Sequence, residues 1–234
     1  MKVFKFGGAS IKDAEGVKNL VKILRHEGIE NTVVVVSAMG KMTDAFEKIV
    51  DAYCFKKNDI SDAILRVRNY HLAIIEGLGF EKKNIIFIDF ELFLTQLSAF
   101  LTNNTSKDYN YIYDQIVNFG ELLSTKIVSA YLTKESIKNN WIDVRDYIRT
   151  NDFYRDAKID WIETEKRILS NINKSKLTIT QGFLGGNNTN TTTLGREGSD
   201  YTAAIFGYCL NAKSVTIWKD VRGVLNADPQ SFKE

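Results

Sequence analysis

Four short stretches of this 234-residue chain carry the residue types that handle anions. Lys5-Phe6-Gly7-Gly8-Ala9-Ser10 sets a lysine just ahead of paired glycines between a strand-like and a helix-like segment. Glycine N–H groups there can approach an anion, the amino end of the helix adds partial positive charge, and Lys5 is within reach of a phosphate. The spacing is neither GxxxxGK[ST] nor GxGxxG, so a tight turn with a surface lysine stays open. Thr191–Asp200 (TTTLGREGSD) gathers hydroxyls, an arginine and a carboxylate on a glycine loop before a helix. Arg196 can grip a carboxylate with two prongs. Ser199 and the helix start can bind an anion, and Asp200 can cap the helix or join a metal site. The plainer alternative is a helix cap beside a solvated Arg196–Glu197 pair. Phe119-Gly120-Glu121 sets a carboxylate ahead of an apolar helix, where a first-turn acid is also favoured by the helix dipole. Trp218-Lys219-Asp220 ends a strand, and Asp220 also suits a turn. His26 and His71 sit in helix-like stretches without metal-spaced companions and read as surface or partly buried residues.

The elements that must hold these stretches alternate. Lys2–Phe6 is a short apolar strand, and Val17, Leu20, Val21 and Leu24 recur at helical spacing behind a capping pair, Ser10 and Asp13. Thr32–Val36, with four consecutive valines, suits a central strand covered on both faces. It leads through Ser37-Ala38-Met39-Gly40 to a second helix that Thr43 or Asp44 can cap. This is the grammar of an open α/β sheet, whose ligands collect at the carboxyl ends of the strands. Residues 61–138 read as mainly helical, with Asn84–Ile88 a candidate strand between helices. Short strands are expected around Trp141–Val144 and Thr178–Thr180. Asn187–Thr193 reads as a mobile polar loop at a ligand mouth, Tyr201–Leu210 as a helix and Ser214–Trp218 as a closing strand.

Composition narrows the class. Lys plus Arg is 31 against 29 for Asp plus Glu, a net charge of +2. The charges are interspersed, which argues against a nucleic-acid binder. Two cysteines, Cys54 and Cys209, offer no zinc knuckle, redox pair or disulfide framework, so a reducing cytoplasmic setting is expected. MKVFKFGG reaches glycine before a signal core could form. Asp89, Glu91 and Gln96 interrupt the most apolar stretch, Ile85–Leu101, which is therefore expected to be a buried helix of a soluble protein rather than a membrane span.

Taken in order, the stretches resemble the catalytic domain of the aspartokinases, within the amino acid kinase family. KFGGAS (5–10), VVVSAMGKMTD (34–44), GELLSTKIVSAYL (120–132), DVRDYIRTND (143–152), ITQGFLGG (179–186), TTTLGREGSDYTAA (191–204) and WKDVRGVLNADP (218–229) carry the likeness. It implies a three-layer α/β/α sandwich with a mostly parallel sheet, one kinase domain over 1–234, and a helical insertion at roughly 60–140. The implied reaction is phosphoryl transfer from MgATP to the side-chain carboxylate of L-aspartate, the entry to lysine, threonine and methionine synthesis. A carboxylate nucleophile is already ionised at neutral pH and needs no catalytic histidine.

By motif position the resemblance assigns catalysis to Lys5 and Asp200. Substrate binding falls to Ala38, Thr43, Glu121 (the ammonium), Phe183, Arg196 (the α-carboxylate) and Ser199. Nucleotide binding falls to Lys5, Gly7, Gly8, Ser37, Lys219 and Asp220; no protein metal ligand is assigned, although Mg2+ accompanies ATP. Ala9, Glu197, Lys219 and Gln230 depart from the family's usual residues, with Lys219 a substitute source of positive charge. The likeness further implies a longer parent protein with ACT regulatory domains and homo-oligomeric assembly, with no nucleic-acid or membrane partner. Alternatives are a kinase of glutamate, acetylglutamate or a nucleotide, or a module that binds aspartate or nucleotide without turnover.

Overall fold

The computed structural model describes residues 1–56, 59–173 and 175–219. Its strands are β1 (Lys2–Phe6), β2 (Thr32–Val36), β3 (Asn139–Trp141), β4 (Leu177–Gln181), β5 (Leu184–Gly186), β6 (Thr191–Thr193) and β7 (Ser214–Trp218). Its helices are α1 (Ala14–Glu27), α2 (Met42–Phe55), α3 (Ile60–Gly77), α4 (Ile85–Asn103), α5 (Tyr109–Lys134), α6 (Trp161–Asn171) and α7 (Gly198–Cys209). Five strands pair in parallel in the order β3-β4-β2-β1-β7, and β5 and β6 form a separate antiparallel hairpin.

Every residue of β2 is fully buried, which requires cover on both faces and explains the unbroken valine run. Helix α7 packs against β7, β1 and β2, with α6 beside it, while α5 packs against β2, β4 and β3. Helices α2 and α4 lean on α5, and α3 leans on α2. The expected α/β/α sandwich is therefore formed, with the helical segment built around α5.

Register fixes where the site must lie. Phe6 pairs with both Val36 and Trp218, and Val36 pairs with Gln181. Four strands thus end level, and the turns following them meet along one edge. Gly8 is needed there for close approach: a Cβ at that position would lie 2.5 Å from the Ala38 carbonyl oxygen and 2.7 Å from that of Gly40. Gly120 does the same inside α5, where a Cβ would meet the Phe46 ring at 3.1 Å and Ala38 at 3.3 Å.

Several local expectations are corrected. Asn84–Ile88 is no strand; the Asn84 side chain caps α4 by accepting from the Ile86 N–H. That helix is not buried throughout. Ile86, Phe90, Leu94 and Leu97 face inward, while Ile85, Ile88 and Leu92 are exposed. It is long and apolar enough to cross a membrane, with a mean hydropathy of 1.6, although its inner stripe belongs to the core. Neither Thr43 nor Asp44 caps α2, which starts after Lys41 without a side-chain cap. Asp13 alone caps α1, since Ser10 lies within a 3-10 turn, Gly8–Ile11. Val144 belongs to another 3-10 turn rather than to β3. Asn187–Thr193 is the tip and second strand of the β5–β6 hairpin, with Thr191, Thr192 and Thr193 buried. His71 is fully buried, bonded through Nδ1 to the Val67 carbonyl at 2.8 Å, and burial lowers its pKa to about 4.

Candidate active site

A cavity of about 450 Å³ opens at the level strand ends. Ten of the residues singled out in the sequence line it: Lys5, Gly8, Ser37, Ala38, Thr43, Glu121, Phe183, Arg196, Ser199 and Asp200. They come from five separate stretches of chain that parallel pairing and the packing of α2, α5 and α7 bring together.

The deep wall is charged. Lys5 is the penultimate residue of β1, only 6% exposed, and its Nζ lies 2.6 Å from Asp200 Oδ1 in the first turn of α7. Lys219 reaches the other Asp200 oxygen at 3.4 Å. Partial burial would raise the Asp200 pKa, but the hydrogen bond and charge of Lys5, aided by Lys219, hold it below the usual carboxylate value. Asp200 therefore neither caps α7, which begins after Glu197, nor stands free; it pairs with the lysines.

Glu121 is the opposite case. It lies in the middle of α5 and is not a first-turn acid, because the helix runs unbroken from Tyr109 through Gly120. Its carboxylate is 3% exposed and Oε2 has no hydrogen-bond partner. Burial pushes its pKa up to about 8, against the opposing effects of the Ala38 N–H and the Lys5 charge. A buried acid with a free oxygen facing a cavity is a receptor for a cation.

The remaining wall holds the anion-seeking groups. Arg196 and Glu197 are both exposed and form no ion pair with each other, and Glu197 occupies the left-handed region (φ 56°) as the residue before α7. Phe183 is also left-handed (φ 69°), held by its N–H to the Thr202 hydroxyl and by the Leu194 N–H to its carbonyl. Such backbone in a bulky residue costs on the order of 1–3 kcal/mol and persists where surrounding bonds enforce it. The Gly7 N–H points at the Trp218 carbonyl, 3.4 Å away, so it is not the free anion donor expected. Asp220 and Gln230 lie outside the described residues.

Two lining residues escaped the sequence, Tyr113 and Arg155, and Thr193, within a motif, was given no role of its own. Arg155 stands in a loop between motifs, and Tyr113 looks like one more aromatic on a helix. The group that gathers them, Asp114, is fully buried on α5. Its Oδ2 accepts from the N–H groups of Arg155 (3.1 Å) and Thr193 (2.8 Å), and its Oδ1 from the Thr193 hydroxyl (2.8 Å). Burial raises the Asp114 pKa to about 6, with these donors opposing. The available signal was the spacing of seven between Asp114 and Glu121, which places both on one side of a helix.

Together these groups can accept an ammonium at Glu121, a carboxylate at Arg196 and a second anion at Lys5 near the amino end of α7. Among the described residues no cluster of three His, Cys, Asp or Glu side chains could hold a metal ion by itself.

The whole chain, residues 1–234, matches the model of the amino acid kinase family. It is 32% identical over 233 residues to lysine-sensitive aspartokinase 3 of Escherichia coli (strain K12), covering 97% of this chain and 51% of that protein. It is 33% identical over 243 residues to the chloroplastic aspartokinase 1 of Arabidopsis thaliana, covering 99% of this chain and 42% of that one. The crystal structure of E. coli aspartokinase III in complex with aspartate and ADP superposes with a TM-score of 0.88 at 31% identity, over 98% of this chain and 51% of that one. The chain thus spans about half the length, or less, of these relatives.

Proposed function

This chain belongs to the amino acid kinase family, and on that premise we propose that its protein transfers the γ-phosphoryl group of ATP to the side-chain carboxylate of L-aspartate, giving 4-phospho-L-aspartate. The observation that carries this reading is the convergence of buried, half-satisfied Glu121, Arg196 and the Lys5–Asp200 pair in one cavity. Those groups match the ammonium, the α-carboxylate and the reacting end of an amino dicarboxylate. Relatives named as aspartokinases, and a related structure that holds aspartate and ADP, support the same choice.

The chemistry requires little proton traffic. The aspartate side chain has an ordinary pKa near 3.9 and is anionic at neutral pH, so the barrier is mutual repulsion of two anions and their alignment. Glu121 and Arg196 fix the backbone end of the amino acid, and Ser37, Ala38, Thr43, Phe183 and Ser199 enclose it. Lys5, buried and paired with Asp200, neutralises the oxygens of the transferring group, assisted by the amino end of α7 and by Gly8. Lys219, a lysine at a strand end, adds charge on the nucleotide side.

Mg2+ needs only one or two protein carboxylates when phosphates and waters complete its shell. Asp200 suits that part, being ionised and beside Lys5. When bound, the ion would neutralise phosphate oxygens. The proposal includes a reducing, cytoplasm-like compartment, consistent with the free thiols of Cys54 and Cys209, a single kinase domain over 1–234, and a homo-oligomeric whole protein. Trapping acyl phosphate with hydroxylamine tests the activity. Product with ATP, Mg2+ and L-aspartate, and none with glutamate, is expected; product with glutamate or acetylglutamate instead would move the assignment within the family. Aspartate binding without product would leave a substrate-binding module.

A further inference from the structure

We propose that Arg155 is a second substrate-binding arginine, gripping the α-carboxylate of the amino acid jointly with Arg196, so that the site demands a free α-carboxylate. The inference deepens the reading above and rests on it.

The two arginines reach the same cavity from loops that touch. The Arg155 carbonyl lies 3.4 Å from where a Cβ on Gly195 would stand, and Gly195 precedes Arg196. Both loops are clamped to α5 by one group, since Asp114 accepts from the Arg155 N–H and from Thr193. The clamp holds Arg155 in a left-handed conformation (φ 68°) that costs energy in a non-glycine residue. Loop backbone this constrained fixes where the side chain starts.

The side chain is also oriented. Its guanidinium lies 4.3 Å from the Tyr113 ring centroid and 5.6 Å from that of Tyr109. The two rings anchor the guanidinium, and although one of its donors engages the Tyr113 hydroxyl, its five N–H groups leave others for a carboxylate in the cavity. Arg25, Arg68, Arg145 and Arg167 each have a carboxylate partner within 2.9 Å. Neither Arg155 nor Arg196 forms an ion pair among the described residues, although both line a cavity with three acids, Glu121, Glu197 and Asp200. A carboxylate has about four acceptor positions, enough for two guanidinium groups.

The test compares L-aspartate with its α-amide, which keeps the ammonium and the side-chain carboxylate, measuring both acyl phosphate formation and binding by calorimetry. In the unaltered protein aspartate is expected to be favoured by about 100-fold or more, as for loss of charge-assisted bonds. Arg155→Ala should lower kcat/KM and affinity for aspartate by about 30-fold and those for the α-amide by less than threefold, erasing most of the discrimination; Arg155→Lys should restore part of it. Equal losses for both ligands, or no loss for either, would overturn the proposal, the former marking Arg155 as a general electrostatic or structural residue of the rim. Absence of turnover by the unaltered protein with intact aspartate binding would defeat the kinase reading alone, because the binding comparison still reads Arg155. Absence of aspartate binding would defeat both.

Discussion

The deep wall of the cavity and its outer rim solve the same problem, holding charge near a small anion, by opposite means. In the deep wall Lys5, near the end of β1, and Glu121, in the middle of α5, are almost wholly buried, so each depends on the partner it meets there. Glu121 is pushed towards the neutral form, and Lys5 shares a short ion pair with Asp200. On the rim Arg155 and Arg196 are exposed and come from loops; what they need is position, which Asp114 and the tyrosines supply. Burial makes a charge potent but conditional on its partner, whereas exposure makes it reliable but weak unless its geometry is fixed.

The sharpest way to test that contrast is at Lys5. Lys5→Ala should reduce turnover by about 1,000-fold or more while leaving aspartate binding nearly intact, since it removes a preorganised charge felt mainly in the transition state. An unchanged rate would remove Lys5 from the mechanism. On the rim, Arg196→Ala should act on affinity, raising the KM for aspartate by about 100-fold with a smaller change in kcat. If ATP affinity alone responded, the rim would belong to the nucleotide.

Glu121 makes the conditional character of the deep wall measurable through pH. In the ligand-free protein it is mostly protonated below about 8, and a substrate ammonium requires the ionised form. Binding at pH 7 should therefore release close to one proton, and affinity should climb by up to about tenfold per pH unit before levelling above pH 8. The enthalpy of binding, compared across buffers of different ionisation heat, reads that proton, and Glu121→Gln should abolish it. The native state also holds this proton where the unfolded chain has lost it. Glu121 thus lowers the stability of the free protein as pH rises from about 4.5 to about 8.

The smallest effect is expected at the clamp. Asp114→Asn keeps the shape but turns one acceptor into a donor, and should raise the KM for aspartate by about threefold to tenfold. Because the Asp114 carboxyl ionises at about 6, the unaltered protein should lose affinity below that pH as the clamp protonates. The Asn variant should lack this lower inflection and keep the one near 8. An unaltered pH profile would mean that rim geometry does not depend on this carboxylate.

Most of the frame was legible from residue order. The valine run of β2 suited a strand covered on both faces, and the glycines after β1 marked a turn between strand and helix. Ten of the residues lining the cavity followed from the resemblance, by motif position, since each motif taken alone also reads as an ordinary turn or cap. The errors have a common cause. Asn84–Ile88 and Phe119-Gly120-Glu121 were misread because an apolar run, or a glycine before an acid, looks alike in several elements. Only the partners against which α4 and α5 pack decide between them. The hairpin strand Thr191–Thr193 looked like a loop because its hydroxyls are satisfied by residues far along the chain, such as Asp114 and Arg145.

The sequence by itself pointed to Lys5 and Glu121 only through the order of the motifs and the family they resemble, because each taken alone also fits an ordinary surface turn or a first-turn acid. Tertiary structure alone decided which charges survive there and which groups complete the rim. A pKa depends on solvent access and on neighbours brought from up to 195 positions away, as Lys5 and Asp200 are. The usefulness of an arginine depends on what holds its backbone and packs against its side chain, and neither Asp114 nor Tyr113 adjoins Arg155 in the chain.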